Sequence, residues 1–429
     1  MSLLSRLSVR SAEPRRTAVF TAFFVLLALI LCGYAITGNL RGAWRGIGVP
    51  SMAPAFADLR SVTHSVDCVE QGRDPYVDWG CDPWGRPFNQ PPVWLALGKL
   101  GINSSWTNVL GFSLILAVFA SFYLLLGTRT LLSGILAFAA MLSPSILLGL
   151  ERGNGDLVVF TLLALGMHAL LRSPVSVRLP LVSILIALLT VLKFFPVAAT
   201  LALARGWRGW ATAIAVAVFS VSVFIVAVDG HLHQIFMNTP QSFYLSFGSG
   251  TLFFRAANML GVPNDQLLAF RIAGSGLAAG LGLSMFVLIW LGRLDRVIDA
   301  LPHVELGQPA DDLAIACAAA FCFVFLLGTS WDYRLILLIG VLPIGLRAYD
   351  DSLNWKDTFF PVMIVAFLWV GRVPKLLPEI WPIIEVLNWM LFASLAALVA
   401  SATRIQNARS VTGSSTKNGI GYIAGKTPR

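Results

Sequence analysis

The chain alternates apolar runs with short polar connections, and one polar stretch near its start is far longer than the others. The apolar runs fall at about 17–37, 106–127, 131–150, 157–172, 209–228, 271–292, 312–328, 334–348, 357–371 and 383–401. A run of about 20 apolar residues, wound as a helix, crosses a hydrocarbon core of roughly 30 Å. The roughly ten-residue alternating segments of a membrane β-barrel are absent from the pattern. The stretch 179–204 admits two readings. As one long span it would put Arg205 and Arg208 outside and invert every later loop. Broken at Lys193-Phe194-Phe195-Pro196, it goes out and comes back, and Pro196 favours the break because proline lacks an N–H and clashes with the preceding turn.

The broken reading gathers Arg172, Arg178, Arg205, Arg208, Arg293, Arg296, Arg347, Lys356 and the basic 404–429 tail on one side, as the positive-inside rule expects. The expected fold is therefore an all-α polytopic membrane protein with about 12 transmembrane helices and both termini cytoplasmic. Residues 1–16 form a cytoplasmic tail, 17–404 the transmembrane domain and 405–429 a disordered tail. The outer segments are 38–105, 151–156, 193–196, 229–270, 329–333 and 372–382, with 88–101 as a surface helix. A helix interrupted at membrane depth needs protein or a water-filled cavity to receive its freed backbone groups. The break at 193–196 thus predicts a cavity on the outer face.

Composition supports this reading. Hydrophobic residues make up 57% of the 429-residue chain and charged residues 12%, against about one-quarter charged in a soluble domain. The net charge of +9 sits largely in short loops and tails, so it reports topology and implies no nucleic-acid partner. Arg6, Arg10, Arg15 and Arg16 precede the first apolar run. That run, Thr17 to Ile36, is too long for a cleaved signal and reads as an uncleaved first helix.

The long polar stretch, Ser51 to Pro92, holds five Asp, one Glu, three Arg, one His and two Cys. The topology places it on the same side as Glu151–Asp156, Lys193, His231, His233 and Trp331–Arg334. Ionisable residues at or within a membrane are costly and are functional candidates. Each also has a plainer account. Asp58 lies in AFADLRSVTHSV, whose apolar spacing suggests a juxtamembrane helix; it is a base facing a cavity, a helix-start carboxylate or a partner of Arg60. Glu151–Asp156 is a polar turn with Asp156 near the next helix start, yet such a turn has no need of Arg152. Lys193 either snorkels to the interface or binds an anion as a point charge. Arg334 either pairs with Asp332 or suits bidentate phosphate recognition. Arg152, Lys193 and Arg334 on one side point to an anionic ligand, and a phosphate carried on a lipid fits a membrane-embedded site.

His64, His231 and His233 lack a nearby carboxylate motif and do not point to a metal. Cys68 and Cys81 would form a disulfide if their loop faces an oxidising compartment. Cys32, Cys317 and Cys322 read as small apolar residues. Trp79, Trp84, Trp94, Phe243 and Tyr244 either line a sugar site or belong to the interfacial aromatic belt. The sequence has no P-loop, no GxSxG and no Cys-x-x-Cys pair, which argues against nucleotide-driven chemistry.

Several of these segments together resemble the family-87 glycosyltransferases of the GT-C superfamily. GRDPY at 72–76 is similar to the family's G-x-x-P-Y, and FNQPP at 88–92 to its aromatic-Asn-x-Pro-Pro. ERGNGD at 151–156 resembles its R-G-Q/N-x-D turn, LKFFP at 192–196 its L-K-x-x-P, and GTSWDYRLILLIGVLP at 328–343 a late span. The resemblance covers about 50–346 and rests on the order and sidedness of motifs that are individually weak.

The resemblance implies an integral membrane enzyme of the bacterial inner membrane with its active site facing outward. It would move a hexose or pentose from a polyprenyl-phosphate donor to a lipid or glycan acceptor. Asp58 matches the position of the general base, with Asp67 as a fallback. Arg152, Lys193 and Arg334 match positions expected to hold the donor phosphate. His64, Asn89, Asn154, Asp156, His231, Asp332 and Tyr333 are further site candidates. The first outer loop has no Asp-Asp or Glu-Asp pair, so neither a cofactor nor a metal is expected. The rival readings are a lipid or sugar transporter or flippase, and an envelope polysaccharide polymerase or ligase. A transporter shares broken helices and membrane charges, but the sequence shows no inverted repeat.

Overall fold

The computed structural model describes residues 40–170, 173–228, 230–239, 246–263, 266–304, 308–370 and 378–415, with scattered positions between 18 and 36. Most of the first apolar run, the 1–16 tail, Phe243, Tyr244 and residues 416–429 lie outside the described residues. Those described are mainly helical, with a single two-residue antiparallel pairing of Ser246 with Trp331 and Phe247 with Ser330.

Among the described residues, four helices are long and apolar enough to cross a membrane: Ser104–Leu125, Gly206–Val228, Leu267–Trp290 and Trp381–Arg404. The run at 131–150 is two helices rather than one, Leu131–Met141 and Pro144–Arg152, bent by 42° and together a fifth candidate span. Pro144 starts the second helix, because proline tolerates only the first helical turn and disfavours the helical region for the residue before it. Further helices run from Gly155 to Leu170, Val175 to Leu192, Pro309 to Leu326, Leu337 to Ser352 and Trp355 to Val370. The described chain is thus a helical protein with apolar helices of membrane-crossing character.

The break near Lys193 is present. Helix Val175–Leu192 ends at an extended Lys193, and a 3-10 helix, Phe195–Leu203, follows with Pro196 in its first turn. Its nine residues reach about 18 Å at the 3-10 rise of about 2 Å per residue. The last helix runs from Trp381 to Ser415, past the expected start of the tail at 405.

The helices meet at two polar ends. At one, Arg347 Nη2 lies 2.7 Å from Asp311 Oδ1, and Arg205 pairs with Asp312. Arg129 pairs with Asp351 and Arg404 with Asp295 at the same end. At the other end converge the Arg152–Gly155 connection, the Lys193 break, the 3-10 helix Asp332–Ile336 and the long polar stretch. Aromatic packing fills the space between: Phe325 stacks on Phe392 with centroids 4.6 Å apart, and Phe247 on Phe321 at 5.3 Å. Lipid tails give helices little hydrophobic reason to associate, so such close side-chain packing carries the cohesion.

The long polar stretch folds onto this second end as a small unit. Helix Ala57–Glu70 buries Ala57, Leu59, Val62 and Val66, and 3-10 helix Pro92–Leu100 packs beside it. Cys68 and Cys81 are bonded, with Cα atoms 5.8 Å apart. Tyr76 and Phe88 pack edge to face at 5.2 Å inside a satellite core with Val62 and Trp94. Asn238 Nδ2 donates to the carbonyls of both Tyr76 and Phe88 at 2.9 Å. The Tyr76 hydroxyl donates to Gln90 O at 2.7 Å, and burial pushes its pKa upward. The GRDPY and FNQPP segments therefore close on one another.

Candidate functional site

Asp58 lies in the first turn of helix Ala57–Glu70, where the helix dipole favours a carboxylate. Its aim is set by the residue that starts the helix. Phe56 has φ 63, a left-handed conformation costly for a side chain with a Cβ. Its N–H donates to Glu151 O at 3.0 Å. Two glycines make room for it. A Cβ on Gly111 would stand 2.5 Å from the Phe56 ring, and one on Gly153 3.0 Å from Leu59 Cβ.

Two groups hold the Asp58 carboxylate. Asn154 Nδ2 donates to Oδ2 at 2.6 Å, and Arg86 Nη1 donates to Oδ1 at 3.1 Å. Arg86 also donates from Nη2 to Ala57 O at 2.7 Å and lies 2.9 Å from Asp82 Oδ2. Burial alone would lower the Arg86 pKa, but the Asp82 hydrogen bond and the charges of Asp58 and Asp82 outweigh it and raise it. The plainer reading of Asp58 as a partner of Arg60 fails: Arg60 donates to Ala55 O and Asn108 instead. The Asp58 side chain keeps 23% exposure, so its carboxylate remains reachable.

The cations sit next to it through a bonded chain. Asn154 Oδ1 accepts the Asp156 backbone N–H at 2.8 Å. Asp156, with a side chain 1% exposed, lies 3.6 Å from Lys193 Nζ and 3.0 Å from Arg334 Nε. Arg334 Nη1 also donates to Ser330 Oγ at 3.0 Å. Two cations and one carboxylate leave this group a formal excess of one positive charge. Trp94 secures the break. Its Nε1–H donates to Leu192 O at 3.0 Å, satisfying a carbonyl that the interrupted helix leaves without a partner. Lys193 and Trp94 both flank Gly155, where a Cβ would lie 3.4 Å from each side chain.

Other sequence candidates do not join. Arg152, expected beside Lys193 and Arg334, turns the other way. Its Nε lies 3.2 Å from Glu151 Oε2, its Nη2 donates to Pro50 O at 3.0 Å, and its Nη1 contacts the Met52 sulfur. With Glu151 Oε1 accepting Met52 N–H at 2.8 Å, Arg152 clamps the 50–52 segment instead of facing a ligand. Asp67, nine residues along the helix from Asp58, falls on the opposite face at about 100° per residue and accepts the Ser104 N–H at 3.3 Å. Asn89 accepts from Gln90 Nε2. His64 is half-buried with no bond to the cluster. The His231 ring packs on Tyr76 at 4.4 Å, and His233 is exposed. Tyr333 is the exception and does join the cluster: it stacks on Trp331 at 6.1 Å and its side chain hydrogen-bonds with Asn154. Asp332 points away from Arg334, toward Arg255 and Glu385.

Sequence reasoning missed Arg86, Asp82, Arg255 and Glu385. Arg86 sits inside the segment singled out for its polarity, but nothing local ties it to Asp58. Glu385 had a usable signal, a carboxylate inside an apolar run. No group of three or more His, Cys, Asp and Glu is arranged to hold a metal among the described residues. No protein family, curated protein or solved structure matches the chain.

Proposed function

We propose that this is an integral membrane glycosyltransferase. It moves a hexose or pentose from a polyprenyl-phosphate donor to a hydroxyl of a lipid or glycan acceptor at the outer face of a bacterial inner membrane. The observation that carries the reading is the bonded run Asp58–Asn154–Asp156–Lys193/Arg334. It sets a reachable carboxylate beside a cation pair at one end of the helices. The chemistry needs both. A base within hydrogen-bond reach removes the proton of the attacking hydroxyl. Fixed cations stabilise the negative charge that grows on the departing polyprenyl phosphate.

Asp58 takes the base role, with Asn154 and Arg86 orienting its carboxylate. The acceptor oxygen attacks the anomeric carbon while the bond to the phosphate oxygen breaks, and in-line displacement inverts the anomeric centre. Lys193 and Arg334 receive the phosphate, and Arg152 is not part of that set. The gathering of basic helix ends opposite the site supports the predicted sidedness; the proposed arrangement is GT-C-type, with about 12 crossings and an outward-facing cavity.

Membranes containing the protein, supplied with a radiolabelled polyprenyl-phosphate sugar, test the reading. Label transferred to an acceptor in wild type and lost in Asp58→Asn, with donor binding retained, is the expected result. Label that changes sides without a new glycosidic bond would overturn it in favour of a transporter.

A further inference from the structure

A polar cavity lies on the far side of the Asp332–Ile336 turn from Arg334. Ser246, Phe247, Arg255, Asp332, Glu385 and Asn388 line it, and it has room for about one water-sized particle. It shares no residue with the Asp58 cluster.

Its charges do not balance. Arg255 Nη1 lies 3.0 Å from Glu385 Oε1, and Asn388 Nδ2 donates to Glu385 Oε2 at 3.3 Å. Glu385 is thus partnered at both oxygens. Asp332 is 2% exposed, lines the cavity and has a buried Oδ2 without a hydrogen-bond partner. Its counter-charge, Arg255, is shared with Glu385, and a buried carboxylate oxygen without a donor is strongly disfavoured. Among the described residues, two carboxylates and one guanidinium leave a formal excess of one negative charge.

That excess selects the ligand. Two carboxylates disfavour an anion. A divalent ion takes six or more oxygens and favours several carboxylates, whereas here Arg255 already neutralises one of the two. A single small monovalent cation matches both the space and the charge. We infer that the cavity binds one monovalent metal cation of the sodium class, held by Asp332 with the side-chain oxygen of Asn388. Ser246, Asp332 and Glu385 come from three distant stretches of chain, so the ion ties those stretches together at the outer end of the helices.

Thermal unfolding of the full-length protein in detergent tests this, with choline chloride exchanged for NaCl, KCl or LiCl at constant ionic strength and pH. A ligand that binds only the folded state raises Tm in a saturable way. The expected result is a saturable rise with one alkali cation over choline, lost in Asp332→Asn and kept in the control Asp78→Asn. If Asp332→Asn does not fold, retention of 22Na+ by wild type, displaced by unlabelled Na+ but not by choline, decides the matter. Equal Tm in every salt with no retained 22Na+ overturns the inference. So does a cation response that survives in Asp332→Asn. A Tm that follows pH alone assigns the neutralising charge to a proton and also overturns it.

Discussion

Asn154 donates to Asp58 Oδ2 at 2.6 Å while its own carbonyl oxygen accepts the Asp156 N–H at 2.8 Å. The second bond fixes which end of the amide faces Asp58. One residue therefore orients the carboxylate and joins it to the carboxylate that holds the cations.

Asn154→Ala removes that orientation without removing a charge. A hydrogen bond to a charged group contributes about 1.5–3 kcal/mol, so transfer should fall by about 10–100-fold with the fold retained. Steady-state kinetics with the labelled donor check this, and the loss should be smaller than for Asp58→Asn. Asn154→Asp should be worse than alanine, because it sets a second carboxylate against Asp58.

Removing Asp156 leaves Lys193 and Arg334 without their shared partner. Breaking one member out of a buried pair typically destabilises by about 3–5 kcal/mol. Asp156→Leu should therefore lower Tm well beyond Lys193→Met, which leaves Asp156 still paired with Arg334. Thermal unfolding of the two variants side by side gives the comparison.

The outer loop carries its own staple. Cys68 and Cys81 close a short loop, and bridging a loop of about 15 residues contributes about 3 kcal/mol in the chain-entropy account. The Cys68→Ser/Cys81→Ser pair, or reduction of wild type, should lower stability by about that amount. Helix Ala57–Glu70 should loosen first. Hydrogen exchange over 57–81, compared with the 309–326 helix, reports it.

Gly153 and Gly111 set the aim of Asp58 from a distance. Gly153 has φ +60 and a crowded Cβ position, so Gly153→Ala combines a left-handed penalty of about 1–2 kcal/mol with pressure on Leu59 and Phe56. Transfer activity should drop further than the Tm shift accounts for, because the residue that starts the Asp58 helix is displaced. Equal, small losses in both measurements would argue against this coupling.

Much of the site's neighbourhood was readable because polar residues stand out in an apolar chain. The break at Lys193 and the shared side of Asp58, Asn154, Asp156 and Arg334 followed from residue type plus sidedness, the Cys68–Cys81 pairing was conditional on an oxidising compartment, and the choice of Asp58 over Asp67 rested on the family resemblance. Partner choice did not. Arg152 follows Glu151 directly, and the pair is spent on residues 50–52, a hundred positions away along the chain. Arg86 meets Asp58 only because the outer loop folds back on itself. The kink at Pro144 was hidden because the apolar run continues through it, and hydropathy is blind to a turn that stays apolar.

The 3-10 turn Asp332–Ile336 has three residues per revolution. Asp332 and Arg334 leave it on different flanks, one toward the Glu385 cavity and the other toward Asp156. The turn works as an axle between a cavity and an ion-paired cluster. Any roll that presses Arg334 deeper against Asp156 must draw Asp332 out of the cavity, so neither can be reshaped along this axis without the other registering it.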